Sequence, residues 1–426
     1  MSAPLKTVTL GCKVNQYETE FVRENLVRSG YHDALPEEAA ELCVVNTCTV
    51  THEGDAKSRQ TIRRLARDNP QARIIVMGCY ATRAPEEVAA LPGVAEVITD
   101  KRELPDLLQR FGVVDVPTGL SGLANRHRAY IKVQDGCLLR CSYCIIPHVR
   151  PEMTSRPLDH ILDEARRLLD HGYRELVLTG IHLGHYGVDR NAGRPKSEWV
   201  RLSHLVDQLA QLPGDFRIRL SSIEATEVTR ELIAVMTAHG DKVCPHLHIC
   251  LQSGADAVLR RMRRRWSVRH FLDRCDLVRQ SLAAPALTTD IIVGFPGETE
   301  ADFAATLETS RRAEFAKIHS FPFSARRGTP AAEMPDQVPA ACRAERIARL
   351  KELEVELRQR YFHQVAGREL SVLIENPPLK QPDLVAGTAC RYVPVEFPGA
   401  THRPGSIVTI RSARVTPERL IVDPRT

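Results

Sequence analysis

Gly136-Cys137-Leu138-Leu139-Arg140-Cys141-Ser142-Tyr143-Cys144 is the stretch that decides this chain. Its cysteines have the spacing Cys-x3-Cys-x2-Cys. Three thiolates on one short loop suit a four-iron cluster with one iron left free of protein ligands. Such an iron can take the amino and carboxylate groups of S-adenosylmethionine and pass an electron to it. The alternative is zinc, because His148 completes a Cys-x3-Cys-x2-Cys-x3-His set.

The surroundings of this loop separate the two readings. From Ala129 to Ser324 apolar strands alternate with helices. The expected strands are Ala129–Gln134, Glu175–Thr179, Arg217–Leu220, His246–Leu251, Leu287–Val293 and Lys317–Phe323. Six β/α repeats rather than eight predict a partial barrel open at one side. The cysteine loop follows the first strand, on the carboxyl face where barrel enzymes place their chemistry. A zinc finger needs no such scaffold, so the barrel favours the cluster.

Upstream, a second α/β unit is expected, with strands at Thr7–Leu10, Leu42–Asn46 and Arg73–Met77. Their continuous apolar runs indicate a parallel sheet covered on both faces. Helices are expected from Tyr17 to Ser29 and from Gly54 to Asp68. Cys12, Cys48 and Cys79 each lie just beyond the carboxyl end of one of these strands, the edge where open parallel sheets bind ligands. Three thiols at equivalent positions predict a second three-cysteine cluster site; buried structural thiols and zinc are the alternatives. Cys43, inside its strand, reads as a core thiol, and Cys244, Cys250, Cys275, Cys342 and Cys390 read as structural.

Downstream, a long helix from Ala340 to Val365 leads into short β runs at Glu369–Ile374, Thr388–Val395, Ser406–Arg414 and Arg419–Val422. Gly387, Pro398-Gly399 and Pro404-Gly405 punctuate them, predicting a small all-β barrel. The fold class is therefore α/β. A parallel α/β domain (1–118) precedes a partial (β/α)6 barrel (119–366) and a carboxy-terminal β-barrel (367–426).

Polar loops on the barrel rim are candidates for holding S-adenosylmethionine. Thr179-Gly180 follows the second strand, Ser222 and Glu224 the third, Gln252 the fourth, and Gly294 and Pro296 the fifth. Glycines there let backbone approach a ligand closely. Tyr143 is placed to pack on the adenine or to shield the cluster. Tight turns and helix caps account for any one of these singly; their shared rim is the argument.

The 426 residues carry a formal net charge of +5 and are 43% hydrophobic, enough for real cores. Twelve cysteines without a secretory leader point to cluster chemistry in the cytoplasm rather than disulfides. No run approaches the ~20 apolar residues of a membrane span. Arg260, Arg261, Arg263, Arg264 and Arg265, followed by Trp266, suggest an RNA-phosphate surface with a stacking aromatic. Arg59, Arg63, Arg64 and Arg67 offer a second patch. His182, His185, His246 and His248 show no metal-ligand spacing.

The whole pattern resembles the radical S-adenosylmethionine methylthiotransferase family, whose last domain is the RNA-binding module called TRAM. The matching stretches are Thr9-Leu10-Gly11-Cys12-Lys13-Val14-Asn15, Val45-Asn46-Thr47-Cys48, Met77-Gly78-Cys79-Tyr80, Cys141 through Pro147, Leu251-Gln252-Ser253-Gly254 and Ile292 through Glu298. Gly11 through Glu20 and Thr47 through Thr51 look most like the branch acting on N6-threonylcarbamoyladenosine in tRNA.

The resemblance implies two [4Fe-4S] clusters. Cys137, Cys141 and Cys144 would hold the one that cleaves S-adenosylmethionine, and Cys12, Cys48 and Cys79 an auxiliary one that supplies sulfur. It implies tRNA as partner, a flavodoxin or ferredoxin as electron donor, iron–sulfur assembly machinery, and no membrane. Other branches modify isopentenyladenosine in tRNA or a ribosomal-protein aspartate. A rival of another class is a non-catalytic iron–sulfur RNA-binding sensor. Two departures stand out: Pro151 replaces a usual glycine, and Cys250 a frequent proline.

Overall fold

A computed structural model describes residues 2–124, 126–375, 384–398, 402–411 and 414–422. The chain opens with a five-stranded sheet of β1 (Ala3–Thr9), β2 (Tyr31–Asp33), β3 (Leu42–Thr47), β4 (Arg73–Gly78) and β5 (Val94–Val97). The order is β2-β1-β3-β4-β5, and every neighbouring pair is parallel. β3 is buried along its whole length because both faces are covered. Leu42, Val44, Ile75 and Met77 pack on one side, and Cys43, Val45, Ile74 and Val76 on the other. Cys43 is thus a core thiol. The edge strands β2 and β5 are short and partly exposed, and apolar patterning did not predict them.

The second unit holds β6 (Ala129–Asp135), β7 (Thr154–Ser155), β8 (Glu175–Gly180), β9 (Arg217–Leu220), β10 (His246–His248), β11 (Ala286–Val293) and β12 (Lys317–Pro322). They form sheets ordered β7-β6-β8-β9 and β10-β11-β12. Isolated parallel bridges, Ile218 to Val243 and Ile223 to Ile249, join the two across the β9–β10 seam. Apart from the small antiparallel β7, the strands pair in parallel, which is the expected partial (β/α)6 barrel. Its core runs from Leu120 to Leu357 and takes in Tyr17 from the amino-terminal unit.

A 26-residue helix, Ala340–Val365, carries the chain to the last unit. This is a curled six-stranded sheet of β13 (Glu369–Ile374), β14 (Leu384–Ala389), β15 (Pro394–Pro398), β16 (Ile407–Arg411), β17 (Arg414–Val415) and β18 (Leu420–Ile421), ordered β16-β13-β14-β15-β18-β17. The expected strand Thr388–Val395 is interrupted by a turn with Tyr392 at φ 62°, so its ends belong to β14 and β15. Gly387 is no punctuation mark. It lies inside β14, where a Cβ would meet the Leu373 carbonyl at 2.5 Å, so the close strand approach requires glycine.

Arginines of β9 dock this sheet on the barrel. Arg217 donates to the Ser371 carbonyl at 2.6 Å, and Arg219 to the Cys390 carbonyl at 3.0 Å. Both also pair with Glu175, a fully buried carboxylate of β8.

Candidate cluster and cofactor site

The first cysteine trio sits where strands turn into helices. Cys12 caps α1 (Lys13–Arg28), Cys48 lies between β3 and α2 (His52–Asp68), and Cys79 opens α3 (Cys79–Arg83). Asn15 stitches two of these turns, donating to the carbonyls of Leu10 (2.8 Å) and Thr47 (3.0 Å). Gly11, at φ 97°, allows close approach, since a Cβ there would touch the Cys48 sulfur at 3.0 Å. Desolvation raises all three thiols above their ordinary value although Cys12 still presents surface to solvent, and charge on Cys12 and Cys79 is felt at Cys48. The three converge.

The second trio occupies the loop after β6. Gly136, at φ 75°, starts it; a Cβ there would sit 1.8 Å from the Glu152 carbonyl oxygen, so no other residue fits. The Cys137 amide donates to the Arg150 carbonyl at 3.2 Å, and Ser142 is anchored through its hydroxyl to the Arg261 carbonyl at 2.7 Å. The charge of Cys137 is felt at Cys141 and Cys144, and that of Cys141 at Cys144. Burial pushes the Cys144 thiol up to about 12.

Each trio has an arginine aimed at it. Arg264 places Nη1 3.2 Å from the Cys141 sulfur and 3.2 Å from the Tyr143 hydroxyl, and pairs with Glu224 through Nη2. Arg150 places Nε 3.4 Å from the Cys79 sulfur, and its other nitrogens bind Asn15, Glu18 and Asp135. Across the cavity His182 Nδ1 faces the Cys137 sulfur at 3.5 Å, with Glu227 on Nε2. Burial would lower this histidine, but hydrogen bonds to Cys137 and Glu227 outweigh it and raise it to about 9.

The donor chemistry discriminates between metals. In neither trio do all three sulfurs lie within 4.8 Å of one another. Tetrahedral zinc with bonds of ~2.3 Å needs sulfurs about 3.8 Å apart. His148 is exposed and turned toward a cavity lined by Thr82, Asp100 and Arg102, so it completes no zinc set. Wide trios with cationic hydrogen-bond donors fit the corners of an iron–sulfur cube better.

Among the other candidates, Tyr143 meets Phe295 edge to face with ring centres 6.5 Å apart. Glu224 reaches the cluster loop through Arg264, and Ser222 is exposed at the mouth of a barrel cavity. Gln252 takes φ 66°, its amide donating to the Asp290 carbonyl at 2.9 Å. Gly294 donates to Glu298, and the Pro296 carbonyl accepts from Arg261. Thr179 and Gly180 end β8, where Gly180 lies close against Gln134.

Residues 5–100 match the family described as "Uncharacterized protein family UPF0004", and residues 131–309 match the Radical SAM superfamily. A Bacillus subtilis protein named threonylcarbamoyladenosine tRNA methylthiotransferase MtaB is 38% identical over 95% of this chain and 92% of its own. A tRNA-2-methylthio-N6-dimethylallyladenosine synthase of Moorella thermoacetica is 32% identical over 96% and 95%. The chain belongs to the radical SAM methylthiotransferases. Its family cofactors are a [4Fe-4S] cluster and S-adenosylmethionine. The radical S-adenosylmethionine methyltransferase TsrM of Kitasatospora setae shares the fold, with TM-score 0.55 at 13% identity over 78% of this chain and 77% of that one.

The arginine run after Leu259 does not form the expected RNA surface as a unit. Arg264 is not on an RNA surface, because its guanidinium lies 4.0 Å from the Trp266 ring centre and points at the cluster loop. Trp266 is buried beneath it, so it stacks on no base, and Arg261 is spent on Pro296 and Gly297. Only Arg260, Arg263 and Arg265 of that run are exposed. Sequence reading missed Arg150, His182, Glu227 and Arg264 as site residues, and it wrongly gave the histidines no ligand-like grouping: His182, His185 and Glu227, and His248, Cys250 and Asp290, each bring their ligand atoms within 4.8 Å of one another. A helical arginine run carries no signal of which members turn inward.

Proposed function

We propose that this methylthiotransferase replaces the C2 hydrogen of N6-threonylcarbamoyladenosine, beside the anticodon of a tRNA, with a methylthio group. The observation that carries this reading is the junction at Arg150, which reaches Cys79 with its side chain and Cys137 with its backbone. Two trios held by one residue suit chemistry in which a radical and a sulfur atom must meet at one carbon.

Cys137, Cys141 and Cys144 would hold the family cluster, and Cys12, Cys48 and Cys79 a second four-iron cluster. When bound, these groups with S-adenosylmethionine supply a hydrogen-abstracting radical, a sulfur atom and a methyl group. Arg264 and Arg150 would balance the negative charge of the ligated thiolates and so favour retention of each trio's metal. Thr179, Gly180, Ser222, Glu224, Gln252, Gly294 and Pro296 would orient S-adenosylmethionine, and Tyr143 with Phe295 would keep water from the loop.

Of the predicted patch Arg63, Arg64 and Arg67 lie exposed on α2, which begins four residues after Cys48, and would take tRNA phosphates together with Lys57, whereas Arg59 is held by Tyr80 and Glu87. The curled carboxy-terminal sheet would act as the TRAM-like RNA clamp. A flavodoxin or ferredoxin would supply electrons, and the cell's iron–sulfur assembly machinery the clusters. Among the described residues no helix is long and apolar enough to cross a membrane.

The test is nucleoside mass spectrometry after incubating the reconstituted enzyme with tRNA bearing the threonylcarbamoyl group but no methylthio group. The doubly modified nucleoside is the expected product. Product from dimethylallyl tRNA alone would transfer the reading to the other tRNA branch.

A further inference from the structure

Inside the barrel lies a cavity of about 330 Å³, lined by Lys13, Ser222, His246, His248, Thr288 and Asp290 among others. Lys13 comes from the other domain. It follows Cys12 directly and opens α1, so it overhangs the barrel from the side of the first cysteine trio.

The charges around this cavity are nearly all accounted for. Arg128 is paired with Glu375 at 2.5 Å, and Arg219 with Glu175 at 2.9 Å. The Asp290 carboxylate lies 3.3 Å from His248 Nε2. Lys13 is the exception, with neither a hydrogen bond nor an ion pair to any described residue. Its half-buried ammonium is therefore available to pair with an anionic group that enters the cavity.

The remaining walls are polar, and the Asp290 carboxylate beside His248 is the one anionic group among the described lining residues. His246 is 5% exposed and its Nδ1 has no partner, while Nε2 meets the Thr288 hydroxyl at 3.1 Å. Burial and neighbouring cations hold His246 well below its ordinary 6.5, and His319 is lowered as well. At neutral pH both rings therefore offer a donor and an acceptor without adding charge. Tyr130, Leu220 and Phe321 supply apolar surface beside them.

We propose that this cavity receives the anionic N6 arm of the substrate base, with the Lys13 ammonium paired to its carboxylate. The inference rests on the threonylcarbamoyl reading above and gives that reading a site. A threonylcarbamoyl arm carries one carboxylate, a hydroxyl and a urea; the carboxylate matches the unpaired Lys13 ammonium, and the hydroxyl and urea N–H groups match acceptors such as Asp290 and the ring nitrogens of His246. A dimethylallyl arm has none of these groups. It would leave Lys13 and His246 Nδ1 unpaired, at the cost such mismatches carry in a polar pocket.

The experiment is fluorescence anisotropy with the reconstituted full chain and three anticodon stem-loop RNAs. The target adenosine carries a threonylcarbamoyl group, its neutral threoninamide analogue, or a dimethylallyl group. The native enzyme is expected to bind the carboxylate RNA about tenfold more tightly than the amide RNA, as one charge-assisted contact allows. Lys13→Gln should erase that difference while binding the amide RNA as the native enzyme does. Lys13→Arg should keep most of it. Equal weakening of both RNAs by Lys13→Gln, or tenfold discrimination that survives it, overturns the pairing. Preference of the native enzyme for the dimethylallyl RNA overturns the substrate reading itself.

Discussion

Arg150 donates from Nε to the sulfur of Cys79 at 3.4 Å, while its own carbonyl accepts the amide of Cys137 at 3.2 Å. One residue thereby fixes the distance between the amino-terminal sheet and the barrel loop. Its guanidinium is almost fully enclosed and also pairs with Glu18 and Asp135, so the joint is rigid and not a hinge.

Removing that guanidinium leaves Glu18 and Asp135 to Lys132, and Glu18 also to Lys101, so the carboxylates keep a counter-ion and lose only their shared hydrogen-bond donor. Arg150→Ala is expected to cost about 1–3 kcal/mol, the range for removing one partner of a buried hydrogen-bonded group. Scanning calorimetry of the anaerobic protein should show a clear fall in melting temperature, with Arg150→Lys in between. An unchanged melting temperature contradicts a structural joint.

Arg264 serves the other trio alone. Arg264→Met is expected to reduce deoxyadenosine formation at least tenfold, because Cys141, Tyr143 and Glu224 lose their shared partner. Iron bound by the amino-terminal trio should be unaffected. Loss of iron from both sites would show that this arginine acts on the whole fold.

His182 faces Cys137 as a protonated ring, given its raised value of about 9. Its Nδ1–H then donates toward the ligand sulfur, and such bonds raise a cluster's potential. His182→Phe is expected to shift the potential negative, on the order of tens of millivolts. A redox titration followed by electron paramagnetic resonance measures it, and an unmoved potential counts against the contact.

Glu175 sets an acid limit on the docking of the last sheet. Burial alone would raise its carboxyl, but Arg219 and Arg217 outweigh that and hold it well below the ordinary 4.5. A depressed carboxyl contributes stability above its unfolded value, and the contribution fades as pH falls from about 4.5 toward the folded value. Glu175→Gln should therefore melt lower than the native protein at pH 7. The gap should narrow below pH 4.5, and a gap independent of pH contradicts the ion network.

Much of this was legible in the chain. Apolar runs bounded by turns located the main strands, and cysteines just past three strand ends could only meet at one sheet edge. The helix Ala340–Val365 was readable end to end. The β2 and β5 edges were not, because short, half-exposed strands lack a continuous apolar run. Nor were Arg150 and Arg264, whose roles depend on reaching across to another loop or another domain. Periodicity reports which face a residue takes, and says nothing about what lies opposite.

Iron and sulfide stoichiometry tells directly whether both trios hold four-iron clusters. Anaerobically reconstituted native protein should carry about eight irons and eight sulfides per chain, and Cys48→Ala about four of each with deoxyadenosine formation retained. Four irons in the native protein, unchanged by Cys48→Ala, would contradict the account.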